Sequence, residues 1–267
     1  MSLKKLITEE YQNYNQFDAD APTFSFTDGR SVAIQQLKHK KSRIIFVKDK
    51  MKQGDDYIPE VRSNNGEFHQ IPDITAKRDC LYICAPNQAG KTTYLSKYIS
   101  YFRKVYPKRK IYLFSSQMND PILDKFKPIR VELNAELITN KISPVMLQNS
   151  MVIFDDIDKI RDKKVKREVY DMIEEILVNG AHNNLSIAIT HHLMTDYKNT
   201  RIILNECSSI TFFPRGGSAQ QIRYTLKNYY GLSKKQIETI LKLKSRWVTL
   251  FRAYPQVVLY SKGIYLL

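Results

Sequence analysis

An α/β fold with a mostly parallel central sheet covered by helices is what this 267-residue sequence predicts, on three observations. From about residue 78, apolar runs of strand length alternate with longer amphipathic stretches. A glycine-bearing loop occupies one junction between a strand and a helix. A further apolar run ends in two adjacent carboxylates. Strands that alternate with helices are covered on both faces, which selects a parallel sheet.

The elements follow in order. Residues 1–20 read as a weakly ordered arm or short helix. Residues 23–70 carry short β-type patches at 23–26 and 43–48, separated by turn-rich pieces at 27–30, with its Asp-Gly pair, and 52–57. This is a small β-rich element, and the expected division is residues 1–74 for arm and element and 75–267 for the core and its extension. The run at 38–43 (KHKKSR) reads as a solvated loop or as an arm contacting DNA or a shell. In the core, strands are expected at 80–85 (CLYICA), 110–115 (KIYLFS), 129–133, 151–154 and 185–190, with helices at 91–104 and 163–179. The second helix aligns Val165, Val169, Met172, Ile173, Ile176 and Leu177 on one face, and Gly180 is its expected stop. The tail offers a strand at 208–213, helices at 219–230 and 233–244 with Ser233 as N-cap, then an antiparallel β extension at 247–252, 256–260 and 264–267, turned at Tyr254-Pro255.

Composition bounds the function. Hydrophobic residues make up 43% and charged residues 26%, ordinary for a packed soluble domain. No apolar run reaches the roughly 18 residues of a membrane span, so no membrane role is expected. Residues 1–14 lack the apolar stretch of a signal peptide, so an intracellular location is expected. Cys80, Cys84 and Cys207 are odd in number and lack metal-ligand spacing, which points to buried, reduced thiols. The net charge of +15 favours a polyanion partner, nucleic acid ahead of an anionic membrane, with plain solubility as the alternative.

Ala85, Pro86, Asn87, Gln88, Ala89, Gly90, Lys91, Thr92 and Thr93 match G-x-x-x-x-G-K-[ST], the Walker A loop, except that Ala85 replaces the first glycine. Alanine is tolerable there if that position keeps φ below zero. Backbone N–H groups and the helix N-terminus would cradle the phosphates of ATP. Lys91 would reach the β- and γ-phosphates, and the Thr92 hydroxyl would bind Mg²⁺. Met151-Val152-Ile153-Phe154-Asp155-Asp156 has the Walker B pattern. Asp155 would hold Mg²⁺ through water, and Asp156 would orient or deprotonate the attacking water. Asp158, just beyond, reads as a solvated loop acid. The next strand ends in Thr190-His191-His192, where a polar side chain could sense the γ-phosphate from between the two motifs. His191 is the candidate, with Thr190 behind it; a surface histidine pair is the alternative.

Three stretches, ICAPNQAGKTTYL, MVIFDDID and NGAHNNLSIAITHH, together resemble the FtsK–HerA superfamily. The resemblance is to the genome-packaging ATPases of large eukaryotic DNA viruses and their virophages, and it extends to TRIILNECSSITFF and GLSKKQIETILKLKSRWVTLFRAYPQVVLY. It covers roughly residues 75–260. It implies a P-loop NTPase core and a homo-oligomeric ring, usually a hexamer, that pumps double-stranded DNA into a preformed capsid, with a capsid or portal component as partner. By that resemblance Lys91 and Thr92 bind nucleotide and Mg²⁺, Asp155 and Asp156 drive hydrolysis, and His191 stands where the family commonly has a glutamine sensor. The family's arginine finger often lies just before the sensor strand, where this chain has Ala181-His182. Arg201 is the substitute, with Arg161, Arg167 and Arg215 open.

The basic runs at 103–110 (RKVYPKRK), 159–167 (KIRDKKVKR) and 234–246 then gain a possible use. The second directly follows Asp156 and could couple hydrolysis to DNA phosphates through sequence-independent, salt-sensitive contacts; solvated helix faces are the alternative. The competing functions are another P-loop enzyme, helicase-like or kinase-like, and a capsid-associated DNA-binding protein with a degenerate loop. DNA-stimulated turnover separates the first from a motor, and any ATP turnover removes the second.

Overall fold

The computed structural model describes residues 20–37, 41–196 and 198–267. The expected N-terminal arm up to residue 19, and residues 38–40 of the basic run at 38–43, lie outside the described residues.

Two sheets form. The smaller is antiparallel, in the order β1 (Thr23–Ser25), β3 (Arg43–Lys48), β2 (Arg30–Leu37) and β5 (Gly66–Gln70). The larger has ten strands. Its parallel part runs β11 (Ser209–Phe212), β6 (Cys80–Cys84), β10 (Ser186–His191), β9 (Ser150–Asp155), β7 (Lys110–Ser115) and β8 (Ile129–Val131). Antiparallel strands β12 (Val248–Phe251), β13 (Val257–Tyr260), β14 (Gly263–Leu266) and β4 (Glu60–Arg62) continue it beyond β11. The parallel core and antiparallel extension are those expected. The additions are β2, β4 and β5, and β4 joins the large sheet.

Helices cover both faces. On one lies α1 (Lys91–Val105), which buries Lys91, Tyr94, Leu95, Tyr98, Ile99 and Phe102, a three- and four-residue repeat that makes one stripe. It packs on Leu81, Ile83, Met151, Ile153 and Ala188. The short helices α2 (Pro121–Asp124) and α3 (Glu136–Thr139) follow. On the other face α4 (Lys163–Asn179) buries Val165, Val169, Met172, Ile173, Ile176 and Leu177 against Val152, Phe154, Ile187 and Ile189. Asp162 caps it, accepting from the N–H groups of Lys164 and Val165 at 2.8 and 3.1 Å. After α5 (Arg201–Glu206), α6 (Ala219–Tyr230) and α7 (Lys234–Leu241) pack on this same core. Ser233 caps α7 in a reciprocal box with Gln236.

One expectation has a different physical basis. Helix α4 does stop at Gly180, yet that residue keeps a right-handed conformation. A Cβ there would lie 2.8 Å from the Arg78 guanidinium, which donates to the Ile176 and Leu177 carbonyls at 2.7 Å each. Glycine makes room for the arginine that caps the helix's last carbonyls. The three cysteines are buried and unpaired. Among the described residues no helix is long and apolar enough to cross a membrane.

Candidate nucleotide-binding site

The loop between β6 and α1 is built by local sequence. Ala85 extends the pairing of β6 by one step, donating its N–H to the His191 carbonyl at 3.1 Å. It is buried and outside the left-handed region, so alanine serves where the motif has glycine. The chain then reverses through Gln88 at φ 61° and Gly90 at φ 110°; the second value is one that only glycine adopts without strain. Gly90 is the N-cap of α1, with no side-chain cap and no acidic residue in the first turn. The N–H groups of that turn are left for an external acceptor, and the helix dipole favours an anion.

Lys91 enters this loop from the first turn and is only 7% exposed. A buried ammonium needs partners. It donates to the Ala85 carbonyl at 2.8 Å and lies 3.5 Å from an oxygen of Asp156.

The carboxylates come from the end of β9, and β10 lies between β9 and β6. Successive strand residues point to opposite faces. Asp156 escapes that alternation because it turns left-handed, at φ 51°, and both acids meet one hydroxyl. Thr190 Oγ1 donates to Asp155 Oδ1 at 2.8 Å and accepts from the Asp156 N–H at 2.9 Å. Asp155 is 3% exposed. Burial first and the neighbouring charge of Asp156 second push its carboxyl up to about 6, against the Thr190 hydrogen bond. A cation beside such a pair would relieve both costs. Thr92 is half-buried on α1, and Thr93 is exposed.

The two histidines separate. His191, expected at the phosphate, continues the face of Ile187 and Ile189 into the core beneath α4. Its Nδ1 meets the Tyr82 hydroxyl and its Nε2 the Tyr170 hydroxyl, each at 3.2 Å. Burial lowers its pKa to about 4, so the ring is neutral. The residue that turns toward the loop is His192. Its Nε2 lies 2.7 Å from Asn87 Oδ1 and 3.3 Å from Asp156 Oδ2, while Nδ1 lies 3.1 Å from both oxygens of Asp158. Asp158 also accepts from the His192 N–H at 3.0 Å. It is a half-buried partner of this ring and not the solvated acid expected. Lys159 completes the group, donating to Asp156 Oδ2 at 3.0 Å and Asn87 Oδ1 at 3.3 Å. Asp156, Asp158 and His192 could each offer a ligand atom to a metal within 4.8 Å of one another; here they are bonded among themselves.

Sequence reasoning missed His192 and Lys159, and also Arg246. The Arg246 guanidinium, from the segment before β12, donates to the Ala89 carbonyl at 2.8 Å and the Gln88 carbonyl at 3.2 Å, bracing the loop's outer side. The finger candidates lie outside this cluster. Arg201 is exposed at the start of α5 and, among the described residues, makes no hydrogen bond to the loop or the carboxylates. Arg161 is exposed, and Arg167 faces Asp171 at 3.8 Å. Arg215 is exposed beside Gly216, where a Cβ would come within 3.8 Å of that of Ala89.

A parallel sheet whose central strand feeds a Gly-Lys-Thr loop and an uncapped helix is the P-loop NTPase fold. The chain is 38% identical to protein V3 of Sputnik virophage over 235 residues, 87% of this chain and 92% of that one, and it belongs to the same family. Virophage kinship agrees with the resemblance read from the sequence. No family model matches the chain. Among solved structures it is similar to the genome packaging NTPase B204 from Sulfolobus turreted icosahedral virus 2 in complex with AMPPCP, with a TM-score of 0.46 and 12% identity over 70% of this chain and 98% of that one. It is also similar to the pCW3 conjugation coupling protein TcpA with ATPγS, with a TM-score of 0.46 and 11% identity over 87% of this chain and 77% of that one.

Proposed function

We propose that this chain is an ATPase that drives double-stranded DNA into a viral capsid. The observation that carries the reading is the meeting of Lys91 and Asp156 at 3.5 Å, with Thr190 joining Asp155 and Asp156 behind them. Phosphoryl transfer asks a protein for positioning and charge rather than covalent chemistry, and this cluster offers both.

The uncapped turn at Gly90 and the buried ammonium of Lys91 suit a triphosphate. The Thr92 hydroxyl and the Asp155 carboxylate are an all-oxygen donor set suited to Mg²⁺, which when bound neutralises charge that develops on the phosphates. Asp156 orients or deprotonates the attacking water. On nucleotide binding, Lys91 exchanges the Ala85 carbonyl for phosphate oxygens. The net charge of +15 and the lysine-rich segment after Asp156 support a DNA backbone as cargo, since a translocating motor contacts phosphates without reading bases. The arginine finger, acting across a ring of identical subunits, is Arg201, with Arg161, Arg167 and Arg215 as the other candidates.

Steady-state ATP hydrolysis with and without non-specific double-stranded DNA, across a range of salt, tests the reading. DNA should raise turnover and salt should suppress that rise. Turnover indifferent to DNA at every salt concentration would transfer the chain to the helicase-like or kinase-like P-loop enzymes.

A further inference from the structure

Arg246 reaches the phosphate loop from far outside the motif. It lies between α7 and β12, in a segment that is tied down on both sides. Ser245 Oγ donates to the Trp247 carbonyl at 2.6 Å, lies 3.1 Å from Ser261 Oγ and accepts from the Ser261 N–H at 3.1 Å. Trp247 meets the Tyr94 ring of α1 edge-on, with ring centroids 4.9 Å apart. The Tyr94 hydroxyl in turn donates to Gln70 Oε1 of β5 at 2.7 Å and lies 2.6 Å from Thr249 Oγ1 of β12. The small sheet, the antiparallel extension and the first turn of α1 are thus joined in one frame, and Arg246 projects from it.

The guanidinium lies flat over Gly90: its Cζ, Nε and Nη2 each stand 3.5 Å from the place a Cβ would take. Nε donates to the Ala89 carbonyl at 2.8 Å and Nη2 to the Gln88 carbonyl at 3.2 Å. A loop that turns its N–H groups inward turns carbonyls outward, and these need partners that the loop itself does not supply. The braced stretch is also the one with the least ordinary backbone, Gln88 at φ 61° and Gly90 at φ 110°. Such conformations persist only where the surroundings hold them. Arg246 itself is exposed, and among the described residues the two loop carbonyls are its hydrogen-bond partners.

We propose that Arg246 is a positioning residue that holds the phosphate loop in its binding shape before nucleotide arrives, so that the antiparallel extension tunes the affinity for ATP. It touches the outer side of the loop and acts through it. A loop held ready loses less freedom on binding, and the difference appears as affinity. Contacts that persist from bound substrate to transition state stabilise both alike, so the rate at saturation is left unchanged. This inference rests on the ATPase reading and names what tunes its nucleotide site.

The test compares the wild type with Arg246→Ala and Lys244→Ala, measuring Kd for a fluorescent ATP analogue together with kcat and KM for ATP. Arg246→Ala should raise Kd and KM about threefold to tenfold, the range that loss of one net hydrogen bond spans, and keep kcat within about twofold. A variant damaged in its fold would instead lose active molecules, lowering kcat and leaving KM in place. Lys244→Ala removes an equal charge from the same exposed segment, and its Kd should match the wild type. A Kd for Arg246→Ala within twofold of the wild type, a fall in kcat with KM unchanged, or an equal loss of affinity in Lys244→Ala overturns the proposal while leaving the ATPase reading intact. A wild type that binds no analogue removes the ATPase reading itself.

Discussion

The two faces of one strand, β10, carry opposite polar designs. On the face toward α1, Thr190 shares its hydroxyl between Asp155 and Asp156, and Lys91 closes on them. Charges are crowded there, and Asp155 is held well above its ordinary pKa by burial and by a like charge. On the face toward α4, His191 is clasped neutral between the hydroxyls of Tyr82 and Tyr170. In the first arrangement two adjacent acids crowd against the ammonium of the loop. The second is complete in itself. Buried polar groups fully satisfied within the protein fix a fold, while like charges crowded together give up stability to a site.

The comparison is broken or sharpened by substitution on each face. The largest effect belongs to Asp156→Asn. Turnover should fall by about 10²–10⁴, the range for loss of a positioned acid–base group, while affinity for ATP stays within a few-fold. Single-turnover hydrolysis and analogue binding measure the two, and unchanged turnover would strip Asp156 of its role. Next comes Thr190→Val, which keeps the shape and deletes the hydroxyl that aligns both acids. Loss of such a supporting partner costs about 10–100-fold in activity or metal affinity; a rate within twofold of wild type would mean that the two acids align themselves.

The smallest effect on rate, and a different signature, belongs to His191→Gln. Turnover should stay within about threefold, while one tyrosine hydroxyl loses a partner and the fold weakens by about 1–3 kcal/mol at neutral pH. The position then makes stability depend on pH in the wild type alone. A histidine whose folded pKa, about 4, lies below its ordinary 6.5 costs the wild type stability as pH falls from 6.5 through 4, because the unfolded chain binds the proton first. Glutamine does not titrate. The deficit of the variant should therefore narrow across that window, by up to roughly 3 kcal/mol. Urea unfolding of both proteins from pH 7.5 to 4.5 checks it. A tenfold fall in turnover would instead return His191 to the role expected from the sequence.

Much of this was legible in the residues. The spacing of apolar side chains predicts α1 and α4 nearly to the residue, and β7 has its expected bounds, because each carries a strong periodic or continuous apolar signal. The meeting of Lys91 with the paired acids was legible because each motif is confined to one short stretch. The antiparallel strands β2, β4 and β5 were not, since their partners lie far along the chain and their patterns are short: β4 pairs with β14, about two hundred residues away.

His192 carried a signal that went unused. In 186–191 the bulky Ile187 and Ile189 alternate with Ser186, Ala188 and Thr190, so strand parity alone directs His191 to the apolar core and the next residue to the face of Thr190. Asp156 misleads the same arithmetic, because only its left-handed turn brings it round to Lys91. Lys159 and Arg246 could not have been singled out from sequence: each is one of many basic residues, and what distinguishes them is a contact with the loop across 72 and 157 residues of chain.

The most direct test of the account is nucleotide binding and steady-state hydrolysis by the wild type against Lys91→Ala, with Mg²⁺ present. The account predicts saturable turnover by the wild type and loss of both binding and turnover in the variant. A variant that binds ATP as tightly and hydrolyses it as fast as the wild type would contradict it, since the loop, the helix end and the two acids would then meet at Lys91 to no purpose.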